Sequence, residues 1–281
     1  MSQYSNNPFG GQASSMIRNS RAPSRWGFST LGCPELDLAE ATALADRFQM
    51  HHMELRALEN TLDIAPILQA PRWAPLLEEL RLAGRLHMLD SSFFLCAAAE
   101  ESYNALLRLA AAAERWGIPY LRIFTTPDSR IPTRRELAAA AGWIRRFHRE
   151  NDFHCRLALE THDGMSSAFR AAAFADSLEE ELFFVWDVHH TLSAGESPAE
   201  SCAALRPDRI VGIHLKDWIS TPSGKAVSVL PGTGEAPWGE IRRQLELLPA
   251  IPAILEYEKL WEPHLPALSH ALDAMRNNWI H

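Results

Sequence analysis

The sequence has little of what marks several classes of protein. It has only four cysteines in 281 residues, and none of them stands in a CxxC or zinc-ribbon spacing. This scarcity argues against a disulfide framework or a structural zinc site, and it predicts reduced, mostly packed thiols of a cytoplasmic protein. The chain also lacks any uninterrupted apolar run of the length that crosses a membrane. We therefore predict a protein with no membrane partner.

Basic residues are fewer than acidic ones. Lys and Arg number 27 against 35 Asp and Glu, which gives a formal net charge of -8 and a sequence pI of about 5.8. A chain with this balance has no global attraction to nucleic acid, although a local basic patch is compatible with it. The predicted partner is a small molecule and not a nucleic acid.

The first 24 residues differ in composition from the rest. They are rich in Ser, Asn, Gln and Gly, and they lack the apolar segment of a secretory signal. We predict a flexible tail over residues 1–24 and a single folded domain over residues 25–281. An organelle transit peptide is the alternative, because Arg18, Arg21 and Arg25 occur there with several serines and no acid.

After the tail, short apolar runs alternate with longer segments of helical spacing. The helical segments include 98–117, 132–150 and 237–249, and Gly and Pro stand at the joins. The apolar runs number eight, and they are Trp26–Leu31, His52–Leu55, Arg85–Leu89, Tyr120–Phe124, Cys155–Leu159, Leu182–Trp186, Ile210–Leu215 and Ile251–Leu255.

Eight strand-then-helix units in roughly 255 residues match a single (β/α)₈ TIM barrel, an α/β fold. A doubly wound open sheet is the structural alternative. Such a sheet commonly has a Gly-rich phosphate turn after an early strand, and the sequence contains no GxGxxG. Strand count and length therefore favour the barrel.

Four of the later predicted strands each end in an acid or an imidazole. These residues are Glu160, Asp187, His214 and Glu256, separated by 27, 27 and 42 residues, which is about one βα unit each. In a barrel the strands' carboxyl ends share one rim, so these side chains should lie side by side. Three carboxylates and one imidazole suit Mn²⁺, Mg²⁺ or Co²⁺, with Zn²⁺ as a further option. The set is the predicted metal site.

Other polar residues at strand ends have a weaker claim, because a lone carboxylate there is usually a helix N-cap or a solvated loop residue. We prefer that interpretation for Glu54, Asp90, Asp217 and Glu258 when each is taken alone. Glu54 is kept as a candidate substrate-binding residue beside His190 and Lys216. His190 lies three residues after Asp187, where a group that contacts substrate or supports a metal ligand is expected.

At these residues the chain resembles the sugar phosphate isomerase/epimerase family of xylose isomerase-like TIM barrels. The similarity spans about residues 26–278 and is most specific in ALETHDG (158–164), WDVHHTLSAGESP (186–198), IVGIHLKDW (210–218), LPGTGEAPWGEI (230–241) and AILEYE (253–258). The resemblance implies that Glu160, Asp187, His214 and Glu256 hold one divalent ion. It also implies that His190 contacts substrate, as the matching histidine does in the ketose epimerases.

The sequence departs from two branches of the wider group. Ser166 and Ser220 stand where the ketose epimerases have a Glu and an Arg, which puts a free-ketose epimerase substrate in doubt. The apurinic endonucleases have an Asp-x-His pair where this chain reads Ala226-Val227-Ser228. An acidic protein without that pair is a poor candidate for a DNA enzyme.

The predicted function is a divalent-metal-dependent isomerase or epimerase of a small sugar, sugar phosphate or related hydroxy-carbonyl compound. Glu160 and Glu256 would be the catalytic pair that moves a C–H proton through a metal-stabilised enediolate. Because a carboxylate near its ordinary pKa is a weak base, either burial raises that pKa or the metal acidifies the C–H bond. An inosose-type dehydratase and a non-catalytic metal- or sugar-binding barrel are the alternatives. A homo-oligomer joined through the outer helices is also open.

Overall fold

The computed structural model describes residues 24–222 and 226–280. The predicted tail, residues 1–24, lies outside the described residues except for Ser24. Arg25 hydrogen-bonds the carbonyls of Leu245, Pro249 and Ile251, which fastens the start of the domain to the segment before the last barrel strand.

Eight parallel strands close into a barrel, as the sequence predicts. They are β1 (Trp26–Ser29), β2 (His52–Leu55), β3 (Leu86–Phe94), β4 (Tyr120–Phe124), β5 (Arg156–Glu160), β6 (Phe183–Asp187), β7 (Ile210–Leu215) and β10 (Ala253–Leu255). Each strand pairs with the next along the chain, and β10 pairs with both β7 and β1. A closed ring has no free sheet edge, so the doubly wound alternative is excluded.

The helices cover the outside of the ring. They are α1 (Leu38–Phe48), α2 (Ala65–Gln69), α3 (Ala74–Leu82), α4 (Glu100–Trp116), α5 (Arg134–Glu150), α6 (Ala168–Asp176), α7 (Val188–Ser193), α8 (Pro198–Leu205), α9 (Trp238–Leu247) and α10 (Leu268–Met275). Short 3-10 turns at Thr30–Gly32, Pro71–Trp73, Leu95–Ala97 and Asp163–Met165 and a π-helical turn at Arg276–Ile280 complete the described elements.

The helix ends follow the local chemistry of the sequence. Thr133 accepts the backbone N–H of Glu136, and the Glu136 side chain accepts that of Thr133, which forms a capping box at the start of α5. Gly117 ends α4 at φ +62°, a left-handed conformation that glycine adopts without steric cost. The predicted segments 98–117, 132–150 and 237–249 thus correspond to α4, α5 and α9.

Two layers of side chains fill the barrel. The lower layer is apolar and contains Met88, Ala158, Val185 and Val211, with Tyr120 and Phe183 packed against it. The upper layer, at the carboxyl ends of the strands, contains the charged residues Glu54, Asp90, Arg122, Glu160, Asp187, His214 and Glu256, all buried. Charges this deep need partners, and the site below supplies most of them.

The structure corrects the sequence prediction for the third strand. The apolar run was predicted to stop at Leu89, which would leave Asp90 at a strand end. Instead β3 continues to Phe94, where it pairs with Phe124 after a register shift. The Ser91 hydroxyl donates to the Arg122 carbonyl at 2.6 Å, which keeps the polar stretch attached to β4. Asp90 therefore lies inside the strand and inside the barrel.

The segment after β7 forms a hairpin that is not among the eight predicted strands. Strands β8 (Asp217–Ser220) and β9 (Ala226–Val229) form a separate two-stranded antiparallel sheet. This hairpin stands directly after β7, so it brings Trp218 and Ser228 to the wall of a cavity at the barrel mouth.

The state of the cysteines agrees with the prediction of reduced, mostly packed thiols. All four cysteines are unpaired, and Cys33, Cys155 and Cys202 are buried. Burial raises the pKa of the Cys33 and Cys155 thiols to about 12, so these thiols are unreactive packing groups. In the described part of the chain, the helices are all too short or too polar to cross a membrane.

Candidate metal centre and substrate pocket

The four predicted ligands come together at the barrel mouth. Glu160 ends β5, Asp187 ends β6, His214 lies near the end of β7, and Glu256 directly follows β10. These strands are neighbours in the ring, and one ligand atom from each residue lies within 4.8 Å of all the others. All four residues are buried. The rim thus brings residues that are 27 and 42 positions apart in the sequence within a few ångströms of one another.

The donor set fits a divalent cation. Glu160 Oε1 and His214 Nδ1 are buried and make no hydrogen bond to the described residues, whereas Glu160 Oε2 and Asp187 Oδ2 lie 3.0 Å from the cations Arg122 and Lys216. Buried polar atoms nearly always have a partner, so convergent unsatisfied donors indicate a ligand at this point. Three carboxylates and one imidazole match the preferences of Mn²⁺, Mg²⁺, Co²⁺ or Zn²⁺.

Glu54 fixes the orientation of the His214 imidazole. His214 Nε2 donates to Glu54 Oε2 at 2.7 Å, while Nδ1 lies 3.4 Å from Glu160 Oε1 and 3.3 Å from Glu256 Oε1. Burial alone would lower the pKa of His214, but Glu256, Glu54 and Glu160 outweigh it and raise that pKa well above the usual value. Glu54 lies on the ring nitrogen opposite the ligand set, as in a carboxylate–histidine–metal arrangement.

Lys216 balances the acids on the other side of the mouth. Its Nζ lies 3.0 Å from Asp187 Oδ2, 2.9 Å from Glu256 Oε2 and 2.6 Å from Glu258 Oε1. Burial acts against the charge of Lys216, but these three carboxylates raise its pKa well above the usual value. Burial alone would raise the pKa of Glu256, yet Lys216 and His214 hold it well below its ordinary range.

Arg122 is a site residue that sequence reasoning missed. Its Nη1 lies 3.0 Å from Glu160 Oε2, its Nε lies 3.7 Å from Asp90 Oδ1, and its guanidinium stacks on Phe124. Burial would raise the pKa of Glu160, but Arg122 and His214 lower it below the ordinary value. Burial raises the pKa of Asp90 to about 7. The signal was available, since Arg122 is the one charge inside the apolar run Tyr120–Phe124.

These shifts bear on the choice between two ways of making a carboxylate base effective. Burial does not raise the pKa of Glu160 or Glu256, because neighbouring cations outweigh it at both residues. The other route is acidification of the substrate C–H bond, and that requires an electrophile at the site.

A cavity of about 140 Å³ opens beside the ligand set. Its lining includes His190 and Lys216, the two predicted substrate-binding residues that reach it, together with His162, His189, Trp218, Ala226, Ser228, Glu258 and Glu262. The buried carboxylate of Glu54 does not line this cavity. The site residues thus divide into those that face the cavity and those that support the ligands.

Histidines dominate one wall of this cavity. The His162 and His190 rings are 4.0 Å apart, and the His189 ring lies 4.3 Å from that of Trp218. Burial lowers the pKa of His190 well below the usual value, which keeps that ring neutral. Burial also opposes charge on His162, but its 2.7 Å hydrogen bond to Asp163 raises the pKa. No role was predicted for His162 or His189 from the sequence, although ligand atoms of His189, His190 and Asp187 also lie within 4.8 Å of one another.

Asp187 serves two structural purposes at once. Its Oδ1 accepts the backbone N–H of His190 at 3.0 Å and so caps α7, while its Oδ2 faces Lys216 and the ligand set. His190 Nε2 lies 3.9 Å from the same Oδ2. The cap holds the carboxylate in one rotamer, which prepares Oδ2 for a ligand.

Solved structures with the same architecture include enzymes and a metal-binding protein. A probable 3-DHS dehydratase, AsbF, of Bacillus anthracis shares 16% identity at a TM-score of 0.71, over 90% of this chain and 98% of that one. The IOLI protein with a bound zinc atom shares 12% identity at a TM-score of 0.68, over 90% of this chain and 95% of that one. A D-allulose 3-epimerase from Methylomonas sp., solved with D-allulose, shares 16% identity at a TM-score of 0.67, over 91% of this chain and 95% of that one. At such identities the likeness establishes the fold.

Sequence comparison gives the family. Among curated protein sequences none matches the chain. The sequence profile of one family covers residues 44–278, which is most of the chain and includes all four candidate ligands. This protein therefore belongs to the xylose isomerase-like TIM barrel family.

Proposed function

We propose that this protein is a divalent-metal-dependent isomerase or epimerase of a small sugar, sugar phosphate or related hydroxy-carbonyl compound. One observation carries the proposal: Glu160, Asp187, His214 and Glu256 converge within 4.8 Å beside a cavity of about 140 Å³. Active sites of TIM barrels lie at this end of the strands. The structural neighbours include a D-allulose 3-epimerase and an L-ribulose 3-epimerase, in keeping with this class of reaction.

The four ligands would hold a Mn²⁺, Mg²⁺, Co²⁺ or Zn²⁺ ion. When bound, such an ion supplies Lewis-acid polarisation of a carbonyl, which lowers the pKa of the neighbouring C–H bond. The IOLI neighbour was solved with a bound zinc atom, which supports keeping Zn²⁺ among the candidate ions.

Glu160 and Glu256 are the proposed proton-transfer residues. They stand at the two ends of the ligand arc, on β5 and beside β10, so they approach a bound substrate from different sides. Arg122 and Lys216 keep them ionised by lowering their pKa values, and an ionised carboxylate is ready to accept a proton. One residue removes the C–H proton, and the same residue or its counterpart returns it to a neighbouring carbon or to the opposite face.

His190 and Lys216 are the proposed substrate contacts, because both line the cavity. For Glu54 the geometry favours a different role from the substrate contact predicted above. Its bond to His214 Nε2 makes it a positioning residue for a metal ligand.

A dehydratase is the second candidate, and one observation favours it. His162 lines the cavity, is hydrogen-bonded to Asp163, and has a raised pKa. Elimination of water needs a proton donor for the departing hydroxyl, and an imidazolium in this place meets that need. Ser166 and Ser220, which depart from the ketose epimerase pattern, also fit a reaction other than ketose epimerisation.

Solvent exchange tests the proposal. Metal-loaded protein is incubated in D₂O with a panel of ketoses and keto sugars, and products are examined by NMR and mass spectrometry. Deuterium at a substrate carbon without loss of water supports the isomerase or epimerase, whereas loss of water supports the dehydratase. Absence of exchange with every substrate would refute both and favour a binding protein. Glu256→Gln removes a proposed proton-transfer carboxylate and should suppress the exchange, and Glu179→Gln, altered at an exposed acid, is its matched control.

A further inference from the structure

Arg56 is a buried cation without a carboxylate partner. It directly follows β2, and its side chain is almost fully buried, with a residue exposure of 6%. Its Nη2 donates to the Ser92 hydroxyl at 2.8 Å, whereas its buried Nη1 makes no hydrogen bond to the described residues. Over residues 24–222 and 226–280, no carboxylate lies within 4.0 Å of its guanidinium.

The other buried cations of the mouth are paired. Lys216 contacts three carboxylates between 2.6 and 3.0 Å, and Arg122 contacts Glu160 at 3.0 Å. A buried charge without a partner is strongly unfavourable, so an unpaired guanidinium in this layer calls for a specific reason. Burial and the neighbouring Arg122 lower the pKa of Arg56 to about 10, which leaves it charged at neutral pH.

The guanidinium lies at the same end of the barrel as the candidate metal centre, because Arg56 directly follows β2. Asp90, Glu160 and Glu256 all act on its charge, although none of them touches it. Arg56 follows β2 and donates to Ser92 of β3, whereas Lys216 follows β7 and contacts Glu256 beside β10, so the two cations lie on different sides of the mouth. A substrate that reaches from the ligand set toward β2 would meet the free Nη1.

We propose that the substrate carries an anionic group, a carboxylate or a phosphate, and that Arg56 binds it through Nη1 with Ser92 beside it. This inference rests on the proposed function and narrows its substrate class, which includes neutral sugars, to hydroxy-carbonyl compounds that carry a carboxylate or a phosphate. A guanidinium presents parallel N–H donors that match the oxygens of either group. Lys216 is less suited to the task because three carboxylates already neutralise it.

Three small compounds test the proposal, since they share a hydroxymethyl ketone unit and differ in the group on the other side of the carbonyl. That group is a neutral hydroxymethyl in dihydroxyacetone, a carboxylate in hydroxypyruvate and a phosphorylated hydroxymethyl in dihydroxyacetone phosphate. Their affinities are measured by calorimetry for the metal-loaded protein, for Arg56→Gln and for Arg56→Lys. Arg72→Gln is the control, because Arg72 is exposed and pairs with Glu59. Metal content and circular dichroism are checked for every variant.

The wild-type protein is expected to bind at least one anion about tenfold more tightly than dihydroxyacetone. Arg56→Gln should remove that preference and change the affinity for dihydroxyacetone less than about threefold, whereas Arg72→Gln should change neither. Arg56→Lys keeps the charge and should retain part of the preference even if Arg56→Gln fails to fold. Whichever anion is preferred identifies the group.

The proposal is overturned if neither anion binds the wild-type protein more tightly than the neutral ketone. It is also overturned if Arg56→Gln, or Arg56→Lys where only that variant folds, retains the full preference. Failure of the proposed function looks different: the anion would bind in an Arg56-dependent manner, yet no deuterium would enter any substrate. Deuterium exchange into neutral ketoses that is insensitive to Arg56 would leave the function standing and exclude the acidic substrate.

Discussion

At the scale of single residues, the mouth of the barrel is organised by pairing of charges. Every carboxylate that offers an atom to the ligand set also contacts a cation: Glu160 contacts Arg122, and Asp187 and Glu256 contact Lys216. The cations keep the acids ionised in the metal-free protein, and a bound dication would complete the balance. Three residue-level predictions follow from these contacts.

The first concerns the proposed ligand Glu160. Glu160→Gln keeps the size of the side chain but removes a charged oxygen donor. We expect it to weaken Mn²⁺ binding at least about 100-fold, the upper end of what loss of an outer partner of a metal ligand costs. Equilibrium dialysis with Mn²⁺ measures this loss. Glu179→Gln is the control, and unchanged affinity in Glu160→Gln would remove Glu160 from the ligand set.

The second separates the two roles suggested for Glu54. If Glu54 positions His214, Glu54→Ala should weaken metal binding about 10- to 100-fold. Activity should then return at saturating metal with nearly the parent KM. A KM that stays raised when metal is saturating would instead support the substrate contact predicted from the sequence. Glu54→Gln retains an acceptor for His214 Nε2 and should have the smaller effect.

The third prediction is that the affinity for metal depends on pH because of His214. Its raised pKa means that metal-free protein carries a proton on the imidazole at neutral pH, and a metal ligand must give that proton up. Between the ordinary pKa of histidine and the raised one, binding should release about one proton, and affinity should rise about tenfold per pH unit. Above the raised pKa the dependence should vanish.

The raised pKa of His214 has the opposite effect on the stability of the metal-free protein, which falls as pH rises. The imidazolium stabilises the fold fully below the unfolded pKa, and this contribution is lost as pH rises through the raised folded pKa. Proton release can be followed with an indicator dye in weakly buffered solution. A His214→Asn variant is the control, and parent protein that releases no proton at neutral pH would contradict the expectation.

At the scale of elements, the β8–β9 hairpin depends on one carboxylate. Asp217 Oδ2 accepts the backbone N–H groups of Gly232 and Gly234 at 2.7 and 3.0 Å, and Oδ1 accepts those of Trp218 and Ala236 at 3.0 and 3.1 Å. Gly234 has to be glycine, because a Cβ there would lie 2.3 Å from Asp217 Oδ1. These four hydrogen bonds, here called the Asp217 clamp, join the start of β8 to the turn after β9 and so hold the segment that carries Trp218 and Ser228.

Loss of the clamp should loosen the hairpin and leave the barrel folded. Asp217→Asn replaces one acceptor oxygen by a donor and strands backbone N–H groups, each at about 1–3 kcal/mol. We expect amide hydrogen exchange at Gly232, Gly234 and Ala236 to speed up about tenfold or more. Thr233→Ala, in the same turn but away from Asp217, is the control. Unchanged protection in Asp217→Asn would show that other contacts hold the hairpin.

At the scale of the whole molecule, a metal ion bound to the acids inside the barrel should stabilise the folded protein. A ligand that binds only the folded state at 100 times its dissociation constant adds about 2.7 kcal/mol. For a domain of this size that corresponds to a rise in Tm of roughly 5–10 °C. Scanning calorimetry with Mn²⁺ and with EDTA measures the difference. Asp187→Asn should lose it, and an equal EDTA effect on parent and variant would contradict a specific site at Asp187.

Much of the fold and of the ligand set could be predicted from local sequence. Four of the later apolar runs end at an acid or an imidazole, and the alternation of strand and helix repeats, so Glu160, Asp187, His214 and Glu256 could be assigned to one rim. These features depend on neighbours a few residues away. The hairpin and the continuation of β3 to Phe94 were missed, because both depend on backbone pairing that local hydrophobicity does not report.

By itself the sequence determined which residue types reach the barrel mouth, because a strand's length and its last side chain are local properties. Only the tertiary structure decided which charges meet there. It placed Glu54 on His214, Arg122 on Glu160 and Lys216 among three acids, and it left Arg56 without a carboxylate in the described chain. Such pairings depend on distances of a few ångströms between strands far apart in sequence, and these distances exist only once the barrel has closed.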